Sequence, residues 1–297
     1  MTVRVGHIEF LNCFPLYHGL ERRAAAGLSS PTEFELVPGV PTDLNRMLVS
    51  GTIDFGPISS IAYARDHGQL LLSRRLSISS RGAVDSIQLV ARKPLEELNR
   101  VALTPKSATS VALLKTMLKL RYGVEPLYEE LTTTPEQALI ESDAVLLIGD
   151  DGLQALYFPV EGATCHDLGR LWREWTGLPM VFAVWATRRD FLAKHEAELV
   201  AVEGELVASI EASRGAKGEV VESALGLWRF DKPCLDRYFE VLKYGFDEEY
   251  RRGLERFYEL ALEAGELVEA PELAFFGADE VSTEGAPAGG ATAEDRA

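Results

Sequence analysis

Cysteine is scarce in this sequence. Cys13, Cys165 and Cys234 are widely separated, and none belongs to a Cys-x-x-Cys pair. That excludes a disulfide framework and argues against a zinc site. No apolar run approaches the ~20 residues that span a bilayer. The N-terminus enters a strand pattern directly, with no charged n-region or apolar h-region, so no signal peptide is expected and a cytoplasmic location is. Basic residues are outnumbered, 30 Lys and Arg against 46 Asp and Glu, giving a formal charge of −16. That balance argues against nucleic acid and against an anionic membrane surface as partners. A small anion is not excluded, because it responds to local donors rather than to net charge. The chain also lacks a phosphate-cradling Gly-x-Gly-x-x-Gly, a metal-ligand cluster, and any Ser-His-Asp or Cys-His spacing that signals a triad.

What is present is an ordinary globular composition, 46% hydrophobic and 26% charged over 297 residues. That length allows two domains and a large core. The chain is organised around residues 1–20. Alternation over residues 2–8 predicts a strand, Pro15 suits a first helical position, and Leu16 and Leu20 keep helical spacing. Asn12 therefore sits between a strand's C-terminal end and a helix N-terminus, where open α/β sheets bind ligands and where N–H groups favour an anion.

Further strands are expected at 33–37, 52–56, 87–91, 101–104, 144–148 and 180–186. Helices are expected after Pro41, Pro57, Ser110 and Thr134. The alternation predicts βαβ units, mainly parallel sheets and an α/β fold. From Arg189 onward four helical stretches follow, the last with Tyr250, Leu254, Phe257 and Leu260 on one stripe. If strands at 84–92 and 180–187 cross between two lobes, lobe one is 1–88 plus 188–276 and lobe two is 89–187, with a hinge that permits closure on a ligand. Residues 277–297 are small, polar and acidic, and read as a disordered tail.

Several short stretches together carry a resemblance. They are His7–Leu16 (HIEFLNCFPL), Gly51–Gly56 with Tyr63, Ser77–Ser86 (SISSRGAVDS), Ile148-Gly149-Asp150, and Trp175–Ala183 (WTGLPMVFA). This ordered set, over roughly residues 3–270, resembles the chorismate dehydratases of the futalosine route to menaquinone, which have a two-lobed periplasmic-binding-protein-like type II fold with the ligand cleft between the lobes. The resemblance implies loss of water across C3–C4 of chorismate, giving 3-[(1-carboxyvinyl)oxy]benzoate, with no cofactor and no metal. The substrate is a small dianion. Formation of an aromatic ring supplies the driving force, and the scarcity of good bases in these motifs makes the enolpyruvyl carboxylate of the substrate a candidate base.

Asn12 can donate and accept towards a carboxylate or the departing hydroxyl; its bland alternative is a local turn. The resemblance places the active-site serine in the 77–86 stretch, where Ser80 is favoured over Ser79 and Ser86 without settling the register, and turn capping is the alternative. Ser59, Ser60, Ser107, Thr109 and Ser110 lie at strand-to-helix junctions of opposite lobes; each alone reads as an N-cap, but two carboxylates need donors from both lobes. Asp150 is the best-placed acid, although it would repel a dianion, so capping suits it better than base catalysis. Histidine as a residue type can act as a base near neutrality, which makes His7 and His18 candidates, but neither carries a partner pattern. Two other readings are a small-anion-binding protein of the same fold without catalysis and the sister 1,4-dihydroxy-6-naphthoate synthase. The sequence assigns no oligomeric state.

Overall fold

A computed structural model of the chain describes residues 1–28 and 32–277. Of the expected tail, everything after Gly277 lies outside those residues. The chain opens with β1 (Val3–His7), a 3-10 turn at Leu11–Cys13 and α1 (Phe14–Ala25). Then come β2 (Phe34–Pro38), α2 (Pro41–Val49), β3 (Phe55–Ser59), α3 (Ser60–Asp66) and β4 (Leu70–Ser80). A second group follows: β5 (Ile87–Ala91), β6 (Arg100–Leu103), α4 (Ala108–Leu120), β7 (Leu127–Glu130), α5 (Pro135–Glu141), β8 (Ala144–Ile148), α6 (Gly149–Tyr157), β9 (Thr164–Asp167) and α7 (Leu168–Thr176). β10 (Met180–Arg188), α8 (Arg189–Gly215), α9 (Lys217–Leu225), α10 (Lys232–Val241), β11 (Leu242–Lys243) and α11 (Glu248–Ala264) complete it.

Two sheets result, in the orders β11-β4-β10-β3-β1-β2 and β7-β6-β8-β5-β9. Both are mixed rather than mainly parallel. β1 pairs in parallel with β2 and β3, and β6 with β7 and β8. β10 is antiparallel to β3 and β4, and β5 to β8 and β9. The antiparallel pairs are those of the strands that follow or precede a crossing between sheets; only the local βα crossovers force parallel neighbours.

All of β10 pairs within the first sheet, so the return crossing lies ahead of residue 180 and not near 187. We propose lobe one as 1–80 with 180–276, and lobe two as 87–179. β4 continues well past Leu72. It runs through Ser77–Ser80, whose three serines are completely buried. Burial of these polar residues is offset by bonds within the stretch: Ser77 and Ser79 hydroxyls lie 2.6 Å apart, and Ser77 Oγ donates to the Gly245 carbonyl. Pro57, read as a helix opening, lies inside β3, whose ladder to β1 ends at Phe55, so its missing N–H costs no pairing on that side.

α1 and α8 pack on the first lobe, whereas α11 reaches across to α4 of the second. Its expected stripe is the buried face: Tyr250, Leu254, Phe257 and Leu260 are each 4% exposed or less. Asp247 caps its N-terminus through the Glu249 and Tyr250 N–H groups. The Trp172 ring meets Phe257 edge-on, and its indole N–H donates to the Pro179 carbonyl at 3.0 Å.

The Asp54 of the Gly-x-x-Asp stretch is structural. Its carboxylate accepts from Arg4 Nε (2.9 Å) and Nη2 (2.6 Å), and Arg188 stands 3.6 Å away. Burial alone pushes this carboxyl up, but the hydrogen bonds and charge of Arg4, helped by Arg188, outweigh it and hold the pKa below 3.8. A depressed folded pKa gives stability that is present above the unfolded value and lost as pH falls through the folded one. Asp54→Asn is therefore expected to cost about 2–3 kcal/mol at pH 7, the scale of hydrogen bonds to a charged group. Urea unfolding of both proteins at pH 7 and pH 3 checks this: the gap should narrow at the lower pH.

Candidate active site

The Asn12 bend is pinned from two sides. The Leu11 N–H donates to Asp150 Oδ1 at 3.0 Å, and the second oxygen of that carboxylate accepts from Trp228 Nε1 at 2.9 Å. The Tyr244 hydroxyl donates to the Asn12 carbonyl at 2.8 Å. The backbone is thereby fixed, yet Asn12 Oδ1 is buried without a hydrogen-bond partner. An orphaned buried acceptor is costly, so a site that keeps one reserves it for something that arrives.

Ser59 repeats the pattern. Its N–H donates to Asn45 Oδ1 at 2.8 Å, which holds the backbone, while its hydroxyl is buried and unpartnered. Ser107 caps α4 by accepting from the Ser110 N–H at 3.3 Å, and the two hydroxyls lie 3.0 Å apart. Ser86 follows Asp85, whose φ of 60° is a left-handed conformation that aspartate tolerates. Arg237 grips the Asp85 carboxylate at 2.7 and 3.0 Å. Asp167 accepts the Val84 and Asp85 N–H groups, the latter at 2.7 Å, and burial pushes its carboxyl up. This knot fixes Ser86, whose hydroxyl makes a 3.5 Å contact to the Val84 carbonyl and lies beside the buried Tyr238 hydroxyl.

Asn12, Ser59, Ser86, Ser107 and Ser110 line one cavity between the lobes. Its apolar walls include Ile8, Phe10, Ile78, Val84, Phe182 and Leu242. All but Leu242 fall within the stretches that carry the resemblance, although none was read as a lining residue there. Other expected residues face elsewhere. Ser80 Oγ donates to the Gly82 carbonyl, and Ser79 is tied to Ser77. Ser60 Oγ donates to the Val181 carbonyl and lies 3.2 Å from Thr109 Oγ1, which accepts the Ile61 N–H. That pair is a contact between lobes rather than cavity lining. Asp150 uses both oxygens to support the Asn12 bend. The His7 ring packs against Tyr17 in a tilted contact with centroids 3.8 Å apart, and His18 meets Ser223.

No residue lining this cavity is titratable. Positive potential comes instead from helix starts: the cavity touches Pro41 at the head of α2, Ser59 before α3, Ser107 before α4 and Gly149 at the head of α6. Dipole ends and first-turn N–H groups favour an anion without a fixed cation. The cavity is small, ≈ 50 Å³. A larger mixed-charge groove of ≈ 960 Å³ beside Arg75, Glu196 and Phe275 shares no lining residue with it. Among the described residues no group of three His, Cys, Asp or Glu is placed to hold a metal ion, and no helix is long and apolar enough to cross a membrane.

Two sheets with a cavity at their junction make a two-lobed α/β fold of the periplasmic-binding-protein-like class. The alkanesulfonate-binding protein of Xanthomonas axonopodis, solved with MOPS bound, superposes with a TM-score of 0.64 at 17% identity, covering 92% of this chain and 96% of that one. A protein from Archaeoglobus fulgidus superposes at 0.71 with 23% identity, covering 90% and 98%. Residues 3–263 match the menaquinone biosynthesis family, and the chain belongs to it. It is 34% identical to the chorismate dehydratase of Thermus thermophilus over 273 residues, 86% of this chain and 93% of that protein. The 1,4-dihydroxy-6-naphthoate synthase of the same organism aligns at 30% over 166 residues, 55% of this chain and 58% of that protein.

Proposed function

We propose that this protein is a chorismate dehydratase, a hydro-lyase that converts chorismate to 3-[(1-carboxyvinyl)oxy]benzoate and water in menaquinone biosynthesis. The observation that carries the reading is a cavity of neutral donors and acceptors at helix starts, with Asn12 Oδ1 and Ser59 Oγ buried and unsatisfied. Such a lining suits a dianion: it supplies dipoles without carboxylates that would repel the substrate. Kinship with a chorismate dehydratase over most of the chain supplies the substrate.

In the reaction the C3–H and C4–O bonds break and a C3–C4 double bond completes the aromatic ring. Asn12, held by its backbone, donates from Nδ2 to the departing C4 oxygen, while its unpartnered Oδ1 accepts from the C4 hydroxyl and the water it becomes. Ser86 from the crossing and the Ser107–Ser110 pair from the second lobe bind the carboxylates, together with Ser59 from the first. The C3 proton passes to the enolpyruvyl carboxylate of the substrate, because no lining side chain can take it, and then joins the departing hydroxide as water. A ring dianion needs more than 50 Å³, so admission requires the lobes to part at the two crossings and the Ser60–Thr109 contact to break and re-form.

Incubation with chorismate tests the assignment. Appearance of 3-[(1-carboxyvinyl)oxy]benzoate supports it; a stable complex with unchanged chorismate would favour binding alone. The base assignment has its own signature. With no titratable lining residue, kcat should stay level from about pH 6 to 9. Burial lowers the His7 pKa below 6.5, so a histidine base there would put an acid limb beneath that value. His7→Gln abolishing turnover would point to it.

A further inference from the structure

A second pocket lies behind the Asn12 bend. It encloses ≈ 310 Å³, at the lower end of the roughly 300–1,000 Å³ typical of small-molecule sites. Arg214, Lys217 and Lys243 line it, with Glu240 as its one carboxylate. Val220, Phe239 and Leu242 form apolar wall. In a chain of charge −16, this is a local excess of cations.

The cations are incompletely matched. Lys217 pairs with Glu240 Oε1 at 2.6 Å. Among the described residues Lys243 donates only to the Glu240 backbone carbonyl. The exposed Arg214 guanidinium has neither an ion pair nor a hydrogen bond among the described residues. Burial and the nearby Arg214 charge push the Lys243 ammonium down, the direction an arriving anion would reverse. The pocket also shares a wall with the cleft: Leu242 lines both, and Tyr244, which lines this pocket, donates its hydroxyl to the Asn12 carbonyl.

We propose that this pocket is a second anion site, taking a small ring-bearing carboxylate whose ring lies on Phe239 and Leu242 and whose charge meets Arg214 and Lys243. Nothing in this depends on turnover of chorismate. A planar anion fits the chemistry because guanidinium binds carboxylate in two-point geometry while the apolar wall accepts the ring.

The test is calorimetric titration with benzene-1,3-dicarboxylate. Asn12→Asp places a negative charge in the cleft and suppresses binding there, so heat that remains reports the rear pocket. In that background Arg214→Glu with Lys243→Glu should weaken the remaining binding about tenfold or more, the loss of a charge-assisted contact. If the paired reversal does not fold, Arg214→Gln, at an exposed side chain without partners, should weaken it severalfold. No binding by the Asn12→Asp protein, or binding unaffected by the Arg214 and Lys243 changes, overturns the proposal. Because the readout is heat, a protein that binds at this pocket but leaves chorismate intact would sink the dehydratase reading and not this one.

Discussion

Asn12→Ala is expected to lower kcat for chorismate by about 10²–10³-fold, the cost of losing one preorganised polar group at a site of developing charge. KM should change much less, because the carboxylates have other donors in Ser59, Ser86 and the Ser107–Ser110 pair. The size follows from preorganisation. Asp150 and Tyr244 fix the bend before the substrate arrives, so no ordering remains to be done at the reacting moment. Loss of the side chain also removes the buried unpartnered oxygen, so the variant should fold at least as stably as the parent. Steady-state kinetics with a thermal melt on the same sample separates the two effects. An unchanged kcat would remove Asn12 from the reaction.

Gly152→Ala is expected to cut kcat/KM by about 10²-fold although the residue is not part of the cavity lining. A methyl group there would lie 2.2 Å from the Ser86 carbonyl oxygen and 3.1 Å from that of Leu147. The nearer obstacle is backbone, so it yields only if the Val84–Ser86 segment moves. That segment is already held by Asp167 and by the Asp85–Arg237 pair, and a shift of about an ångström carries the Ser86 hydroxyl out of place. Ser86→Ala gives the companion measurement: it should lower activity without the loss of stability that Gly152→Ala brings. By contrast Ser79→Ala and Ser80→Ala, whose hydroxyls bond to their own stretch, should change melting temperature more than kcat.

These contrasts mark where sequence reasoning reached and where it stopped. The Asn12 bend was legible because a strand pattern, a loop and Pro15 announce a strand-to-helix junction by local rules alone. Ser59 and Ser107 were legible for the same reason, as residues that open helices. The choice among Ser79, Ser80 and Ser86 was not. A run of serines with a glycine reads as a loop, yet the hydroxyls bond to one another and to Gly245, and that bonding lets the run continue as a buried strand. The strand therefore ends later, and the serine that reaches the cavity is the one after the crossing. The supports of the site were also invisible. Trp228, Arg237 and Tyr244 come from the C-terminal helical region and act more than seventy residues from their partners; no local spacing encodes such a contact. The placement of Met180–Arg188 in the first sheet escaped notice likewise, since a buried apolar strand looks alike in either lobe.

A crystal structure with 3-[(1-carboxyvinyl)oxy]benzoate bound tests the central claim most directly. The account predicts the ring between the lobes, with the Asn12 carboxamide at C4, the Ser59 and Ser86 hydroxyls on its carboxylates, and no ionisable side chain within hydrogen-bond reach of C3. A product molecule seated in the groove beside Arg75 and Phe275, or an Asp, Glu or His positioned at C3, would contradict it.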